Sequence, residues 1–304
     1  MMHQTQSIGI NSFQNFLNDL FVLTKFRLAI SVVFSSIAGY FLATDNLNLT
    51  SLTLLFLGGF FMVASSNIFN QWIEKEEDGL MLRTKNRPLP SGRMKEKTAL
   101  IFGFSFLFSG IGFLYMINFR TVFFSVLSVF IYTCIYTPLK KKTPLAVFIG
   151  AFPGAIPFML GWVAATNKFG IEPGILFLIQ FIWQFPHFWA IGWLMHEDYK
   201  KAGFKLLPSG KKDQVTSFQI VFYTIWMILF SLIPATSYSG NLFLSLPGAI
   251  IISLLGIVML YFSISLMKLK TDKAAKNLIL SCLLYTSPSP RDQRGDRMAS
   301  SGLK

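Results

Sequence analysis

Residues 51–93 read SLTLLFLGGFFMVASSNIFNQWIEKEEDGLMLRTKNRPLPSGR, and the change of character within this stretch decides the fold. Up to Trp72 it is almost wholly apolar and long enough for the roughly 20 residues that cross a bilayer core. Beyond Trp72 charges crowd together, as they do where a transmembrane helix meets water. Seven further runs have the same length and character, which gives eight spans at 27–44, 51–72, 98–118, 121–138, 144–165, 172–195, 216–236 and 243–267. A ninth begins near Ala274, but its apolar part, NLILSCLLYT, is too short to cross. The predicted fold class is therefore all-α: a polytopic membrane helical bundle of eight complete spans and a truncated ninth.

Composition leads the same way. Of 304 residues, 53% are hydrophobic and 13% charged, with a mean hydropathy of +0.53, far from the roughly one-quarter charged residues of a soluble domain. A soluble enzyme is excluded. The net charge of +13 would suit a nucleic-acid binder in a soluble chain, but its placement argues for topology instead. Basic residues gather beside the first span (Lys25, Arg27), between the second and third, at 140–142, at 200–212 and at 268–276, while the opposite loops hold only Arg120 and Lys168. Lys and Arg accumulate on the cytoplasmic side of membrane proteins. The N-terminus and the basic loops are thus expected in the cytoplasm, in a bacterial inner membrane, with lipid around the chain and no nucleic acid as partner.

The expected organisation is a cytoplasmic N-terminal segment at 1–20, a membrane domain at 21–281 and a non-native tail at 282–304. The first twenty residues lack the pattern of a cleaved signal peptide. The tail, CLLYTSPSPRDQRGDRMASSGLK, looks like translated sequencing-adapter read-through, so the native chain is expected to end near residue 280. Cys134 and Cys282 offer no disulfide framework or metal spacing, and Cys134 reads as a packing residue.

Three side chains give the end of the second span its chemistry. Asn70, Glu74 and Asp78 recur every fourth residue, so on a helix they cover about 80° of one face and rise about 6 Å per step. Carboxylates collected at a membrane boundary need cations among them. Magnesium takes one or two carboxylates and completes its shell with water and phosphate, so this stripe suits a magnesium diphosphate. Arg83, Lys85, Arg87 and Arg93 follow, stiffened by Pro88 and Pro90, and Arg matches phosphate geometry. Glu76 and Glu77 read as a solvated helix end.

The sixth span holds a second set. His187 and Asp198 are eleven residues apart and share a face about 16 Å apart along an ideal helix, unless Pro186 kinks it. An ionisable group at membrane depth is a functional candidate, and Trp189 nearby offers a π face for a cation or a flat macrocycle. Tyr136 and Lys140 to Lys142 stand at the same boundary. Gly150, Gly154 and Gly161 with Pro153 and Pro157 predict close packing and a broken helix beside a cavity.

Three segments together resemble the UbiA-type intramembrane prenyltransferases: NQWIEKEEDGLMLRTKNRPLPSGR at 70–93, YTPLKKKTP followed by IGAFPGAIP within 136–157, and WQFPHFWAIGWLMHEDYKKAGFKLLP at 183–208. The resemblance runs from about Leu23 to Leu280. It implies a central cavity in the bundle and two acidic motifs. Asn70, Glu74 and Asp78 form the first motif and Asp198 the second, together holding Mg2+ on a prenyl diphosphate. Glu74 stands where the family has Asp, Leu194 interrupts the usual second motif, and Phe26 replaces a customary proline beside Thr24, Lys25 and Arg27. Lys25, Arg27, Arg83, Arg87, Tyr136, Lys140, Trp189 and Tyr199 would then bind substrate, with His187 catalytic.

The last segment is similar to the branch that farnesylates heme, and that likeness implies farnesyl diphosphate and heme B as substrates and heme O as product. A terminal oxidase assembly or a heme A synthase would be the partner that receives it. Two other functions fit less of the sequence. Prenylation of an aromatic quinone precursor would not account for WQFPHFW and HEDYKKAG. A transporter would carry its acidic residues at the midplane and inverted repeats.

Overall fold

The computed structural model describes residues 2–285, with side chains from 13 to 284. The expected tail from 286 onward lies outside them. The described chain is all-helical: α1 Met2–Leu23, α2 Phe26–Ala43, α3 Leu49–Ile73, α4 Lys75–Leu80, α5 Glu96–Tyr115, α6 Phe119–Phe130, a π-helical segment Ile131–Tyr136, α7 Thr137–Leu139, α8 Ala146–Thr166, α9 Ile171–Leu194, α10 His196–Lys201, α11 Gln214–Ser231, α12 Leu246–Leu269 and α13 Asp272–Tyr285. Eight helices, counting α6 through α7 as one and α11 through Ala235, are long and apolar enough to cross a membrane. They coincide with the eight spans read from the sequence. Helix α13 has 14 residues, which at about 1.5 Å each cannot cross a core about 30 Å thick.

Hydropathy alone does not reveal which spans are central. Over an apolar 18-residue stretch of each helix, half or more of the residues are buried in α3 (50%), α8 (61%) and α9 (56%), against 22–28% in the other five. Helix α3 lies along α5, α2 along α8, and α8 against α9, while α11, α12 and α13 pack on the far side of α9. Two cores result. One joins Tyr40, Met62, Leu114, Ile156 and Leu160; the other joins Phe185, Trp189, Trp193, Met227, Met259 and Leu278. Cys282, expected to begin the tail, is fully buried in the second core. Cys134 is exposed on the outer face, not packed inside.

Close approach at α8 depends on glycine. A Cβ on Gly161 would lie 1.8 Å from the Ser36 carbonyl oxygen, and one on Gly154 1.9 Å from Gln184 Oε1. The same face thus lets α2 and α9 lie directly against α8. The predicted break in α8 does not occur: Pro153 and Pro157 both sit inside an uninterrupted helix. Proline at 157 deprives the Pro153 carbonyl of its helical donor. The Ser128 hydroxyl supplies one instead, at 3.3 Å, which is how membrane helices accommodate proline.

The breaks lie elsewhere, at two equivalent places. Glu74 (φ −98°, ψ 19°) separates α3 from α4, and Met195 (φ −96°, ψ 17°) separates α9 from α10. At each joint the i to i+4 ladder is interrupted, but one such bond is kept on either side of the joint residue. The Glu74 N–H donates to Asn70 O at 3.0 Å and the Asp78 N–H to Glu74 O at 2.8 Å; the Met195 N–H donates to Ile191 O at 2.9 Å and the Tyr199 N–H to Met195 O at 3.0 Å. His187 and Asp198 therefore do not share one continuous helix, whereas the Asn70–Glu74–Asp78 stripe keeps its four-residue spacing.

Candidate active site

The ends of α3 and α9, the starts of α2 and α8 and the π-helical turn of the fourth span all reach the same end of the bundle, the end that carries the basic loops. A network centred on Asn70 assembles there. Its Nδ2 donates to Glu74 Oε2 at 2.9 Å and to Thr137 Oγ1 at 3.0 Å, and its Oδ1 accepts from Lys25 Nζ at 3.1 Å. Lys25 holds a left-handed backbone (φ 48°, ψ 52°) between α1 and α2, a conformation uncommon for a residue with a side chain and most often kept where function requires it. Asn67 Nδ2 secures the junction by donating to the Thr24 carbonyl at 3.1 Å.

Each buried carboxylate of the first motif has a cation. Lys140 Nζ lies 2.7 Å from Glu74 Oε1, and Arg87 donates to Asp78 Oδ2 at 2.6 Å. Glu77, expected to be solvated, is buried and pairs with Lys141, whereas Glu76 is exposed as expected. The reason is the helix break. It turns α4 so that the face carrying Glu74, Glu77 and Asp78 meets the loop after the fourth span. The π-helical segment aids this: Thr137 Oγ donates to the Tyr132 carbonyl, five residues back, at 2.8 Å. Such widened turns are frequent at functional sites. This one brings Tyr136 under Lys140, 4.6 Å from ring centroid to ammonium, with Phe204 at 5.5 Å. Burial disfavours the Lys140 ammonium, but the Glu74 charge outweighs it and holds the amine protonated well above its ordinary range.

The second motif comes to the first through apolar contact. Tyr199, Ala202 and Phe204 pack on Met81, three residues beyond Asp78. The loop after α10 also ties to Lys140 directly, because the Lys205 N–H donates to the Lys140 carbonyl at 2.7 Å. Asp198 is half-buried and its carboxylate has no ion pair among the described residues. Arg83 is half-buried with its Nε unpaired. Arg27 is exposed and has no ion pair among the described residues.

His187 and Trp189 part company. His187 is buried and stacks on Trp183 with centroids 4.7 Å apart, while Trp189 belongs to the core, edge-on to Tyr223 at 5.1 Å. Residues 187 and 189 are two apart, and on a helix such residues face different directions. Trp183, four residues before His187, is the aromatic that the helical period brings to it.

Among the described residues no three of His, Cys, Asp or Glu cluster closely enough to cage a metal ion. That donor set still fits magnesium, which takes one or two carboxylates and leaves the rest of its shell to water and substrate oxygen. Asn70, Glu74, Asp78 and Asp198 carry oxygens of this hard type. On the membrane side of this cluster a small, mostly apolar cleft lies between α2, α3, α6 and α8, lined by Val33, Ser36, Met62, Ser66, Val129 and Leu160. Ser66 and Met62 lie one and two turns below Asn70 on the same face of α3, about 6 and 12 Å along the axis.

The model of the UbiA prenyltransferase family matches residues 32–285. A protoheme IX farnesyltransferase of Flavobacterium psychrophilum is 57% identical over 273 residues, covering 89% of this chain and 91% of its own. One from Christiangramia forsetii is 56% identical over 275 residues, covering 90% and 92%. Among solved structures, a digeranylgeranylglyceryl phosphate synthase superposes with TM-score 0.71 at 21% identity, covering 88% of this chain and 97% of that one. A UbiA homologue from Archaeoglobus fulgidus bound to DMAPP and Mg2+ gives 0.68 at 15% identity, covering 88% and 98%. These last two likenesses concern the fold.

Proposed function

The chain belongs to the UbiA prenyltransferase family, and from that premise we propose its reaction: it transfers the farnesyl group of farnesyl diphosphate to a vinyl group of heme B, with addition of water, giving heme O. The likeness to the two farnesyltransferases over nine-tenths of the chain carries this reading. Neither a quinone-precursor prenyltransferase nor a transporter has comparable support.

The chemistry assigned to the site follows from its charges. Lys25, Arg83, Arg87 and Lys140 receive the diphosphate, and their positive charge stabilises the negative charge that builds up as the carbon–oxygen bond breaks. Asn70, Glu74, Asp78 and Asp198 would hold magnesium, which would supply neutralisation and orientation of the leaving group; the Mg2+ in the Archaeoglobus fulgidus homologue supports this. The cleft below Asn70 takes the farnesyl chain, and its apolar walls keep water from the allylic cation. The terminal vinyl carbon of heme bonds to that cation. Positive charge moves to the vinyl carbon beside the ring, a water oxygen bonds there, and one proton leaves. His187 either takes this proton or contacts the heme, with Tyr136 and Tyr199 on the substrate side of the site.

The basic loops support a cytoplasmic position for this end of the bundle in a bacterial inner membrane, with a terminal oxidase or heme A synthase as the recipient of the product. The test is direct. Membranes containing the full chain, given heme B, farnesyl diphosphate and magnesium, should form heme O, and a chelator should stop it. Folded protein that forms none would overturn the assignment.

A further inference from the structure

The loop from Met81 to Met94 carries Arg83 and Arg87, and the inference that follows rests on their assignment above to the diphosphate. Arg87 fastens the loop to the motif through Asp78. Its far end is held by Arg93, whose guanidinium is almost fully engaged. Arg93 Nε donates to Asp19 Oδ1 and Oδ2 at 3.0 and 3.2 Å, Nη2 donates to Asp19 Oδ1 and to the Asn86 carbonyl, both at 2.9 Å, and Nη1 donates to Ser91 Oγ at 2.9 Å. Four of the five N–H groups of an arginine are thus used within the protein. Ser91 Oγ in turn donates to the Arg87 carbonyl at 2.6 Å. Gly92, at φ +73°, makes the turn that brings Arg93 back over the loop.

Asp19 lies on α1, and the same helix packs Phe16, Leu20 and Leu23 onto Leu89 and Met94 of the loop. The loop is therefore gripped from outside by an apolar contact and one forked ion pair, and inside by Asp78. We propose that Asp19 and Arg93 form a positioning clamp for the diphosphate: α1 holds the Arg83–Arg87 arc in register with the acidic motif, and neither Asp19 nor Arg93 touches substrate. A fork-shaped donor suits this role because it fixes direction as well as distance, which a lysine ammonium does not.

Three full-length variants in membranes test the clamp: Asp19→Asn, Arg93→Lys, and the exchange Asp19→Arg with Arg93→Asp. Each single variant should raise the KM for farnesyl diphosphate about two- to fivefold, the range expected for a partly exposed forked pair, with kcat and the KM for heme unchanged. The exchange should recover part of that loss. If Arg93 bound the diphosphate itself, Asp19→Asn would free it and leave the KM unchanged or lower, which overturns the proposal. Parallel losses in kcat and both KM values would mark a general structural role and overturn it equally. Binding of inorganic magnesium diphosphate to the purified variants gives a second reading that does not need heme chemistry. Should the wild type form no heme O, weaker diphosphate binding by Asp19→Asn still supports the clamp, and unchanged binding still removes it. Should Asp19→Asn fail to fold, Arg93→Lys and the exchange decide by the same measures.

Discussion

Asp78 and Asp198 are both carboxylates at one end of the bundle, yet their surroundings make opposite predictions about stability. Asp78 is buried against Arg87 and Asp198 has no ion pair among the described residues. Removing one partner of a buried pair strands the other charge, at about 3 kcal/mol or more. Asp78→Ala should therefore lower the unfolding temperature of the detergent-solubilised protein and also abolish turnover. Asp198→Ala should cost turnover about 100-fold or more and leave the unfolding temperature where it was. Full activity in the second variant would remove Asp198 from the metal site. Glu74 supplies a finer test: Glu74→Asp keeps the charge but withdraws it by one methylene from both Lys140 and Asn70. A large rise in the KM for farnesyl diphosphate would show that this site is built around the longer side chain, and an unchanged KM would show that it is not.

Among the elements, α8 shows why some of the fold was legible and some was not. Its glycines were visible as close-packing signals, and the structure uses them so. The partners were not visible, because which helix lies against a glycine depends on the whole bundle. Gly161→Ala should be the most damaging glycine-to-alanine change among the described residues. Its Cβ would meet the Ser36 carbonyl and the Tyr40 amide, which are backbone and cannot step aside; the expected cost is about 3 kcal/mol, read as loss of folded protein in membranes. Gly112→Ala, where nothing lies within 4 Å, is the control and should be silent. The helix breaks at Glu74 and Met195 escaped the sequence for a different reason. Neither joint contains the Pro or Gly that marks a break, so the four-residue pattern of Asn70, Glu74 and Asp78 read as one straight helix. Glu77 was misread with it, since only a turned α4 can bring that side chain to Lys141. Trp189 was tied to His187 by closeness in sequence, while the helical period favours Trp183.

For the molecule as a whole, charge and hydropathy jointly determine where the chemistry faces. Among the described residues eight helices are long and apolar enough to cross a membrane, and the proposed diphosphate-site residues, from Lys25 at the first of them to Asp198 after the sixth, lie at the end where the basic loops are. The two larger cores both draw on α8, while the acidic motifs follow the breaks at Glu74 and Met195, beyond the ends of α3 and α9. Lys and Arg in short loops set orientation, which predicts that this end of the bundle opens to the cytoplasm, where a charged diphosphate arrives without crossing the bilayer. Single cysteines at two exposed lysines test it. Lys168→Cys lies in a loop of the sparse end and Lys201→Cys beside the second motif, while the native Cys134 sits on an apolar spanning helix and Cys282 is fully buried. In intact cells a membrane-impermeant maleimide should label the cysteine at 168 and spare the one at 201 until the membrane is permeabilised. The reverse pattern would place the diphosphate site on the outer face, and the supply of its substrate would then need a route through the membrane.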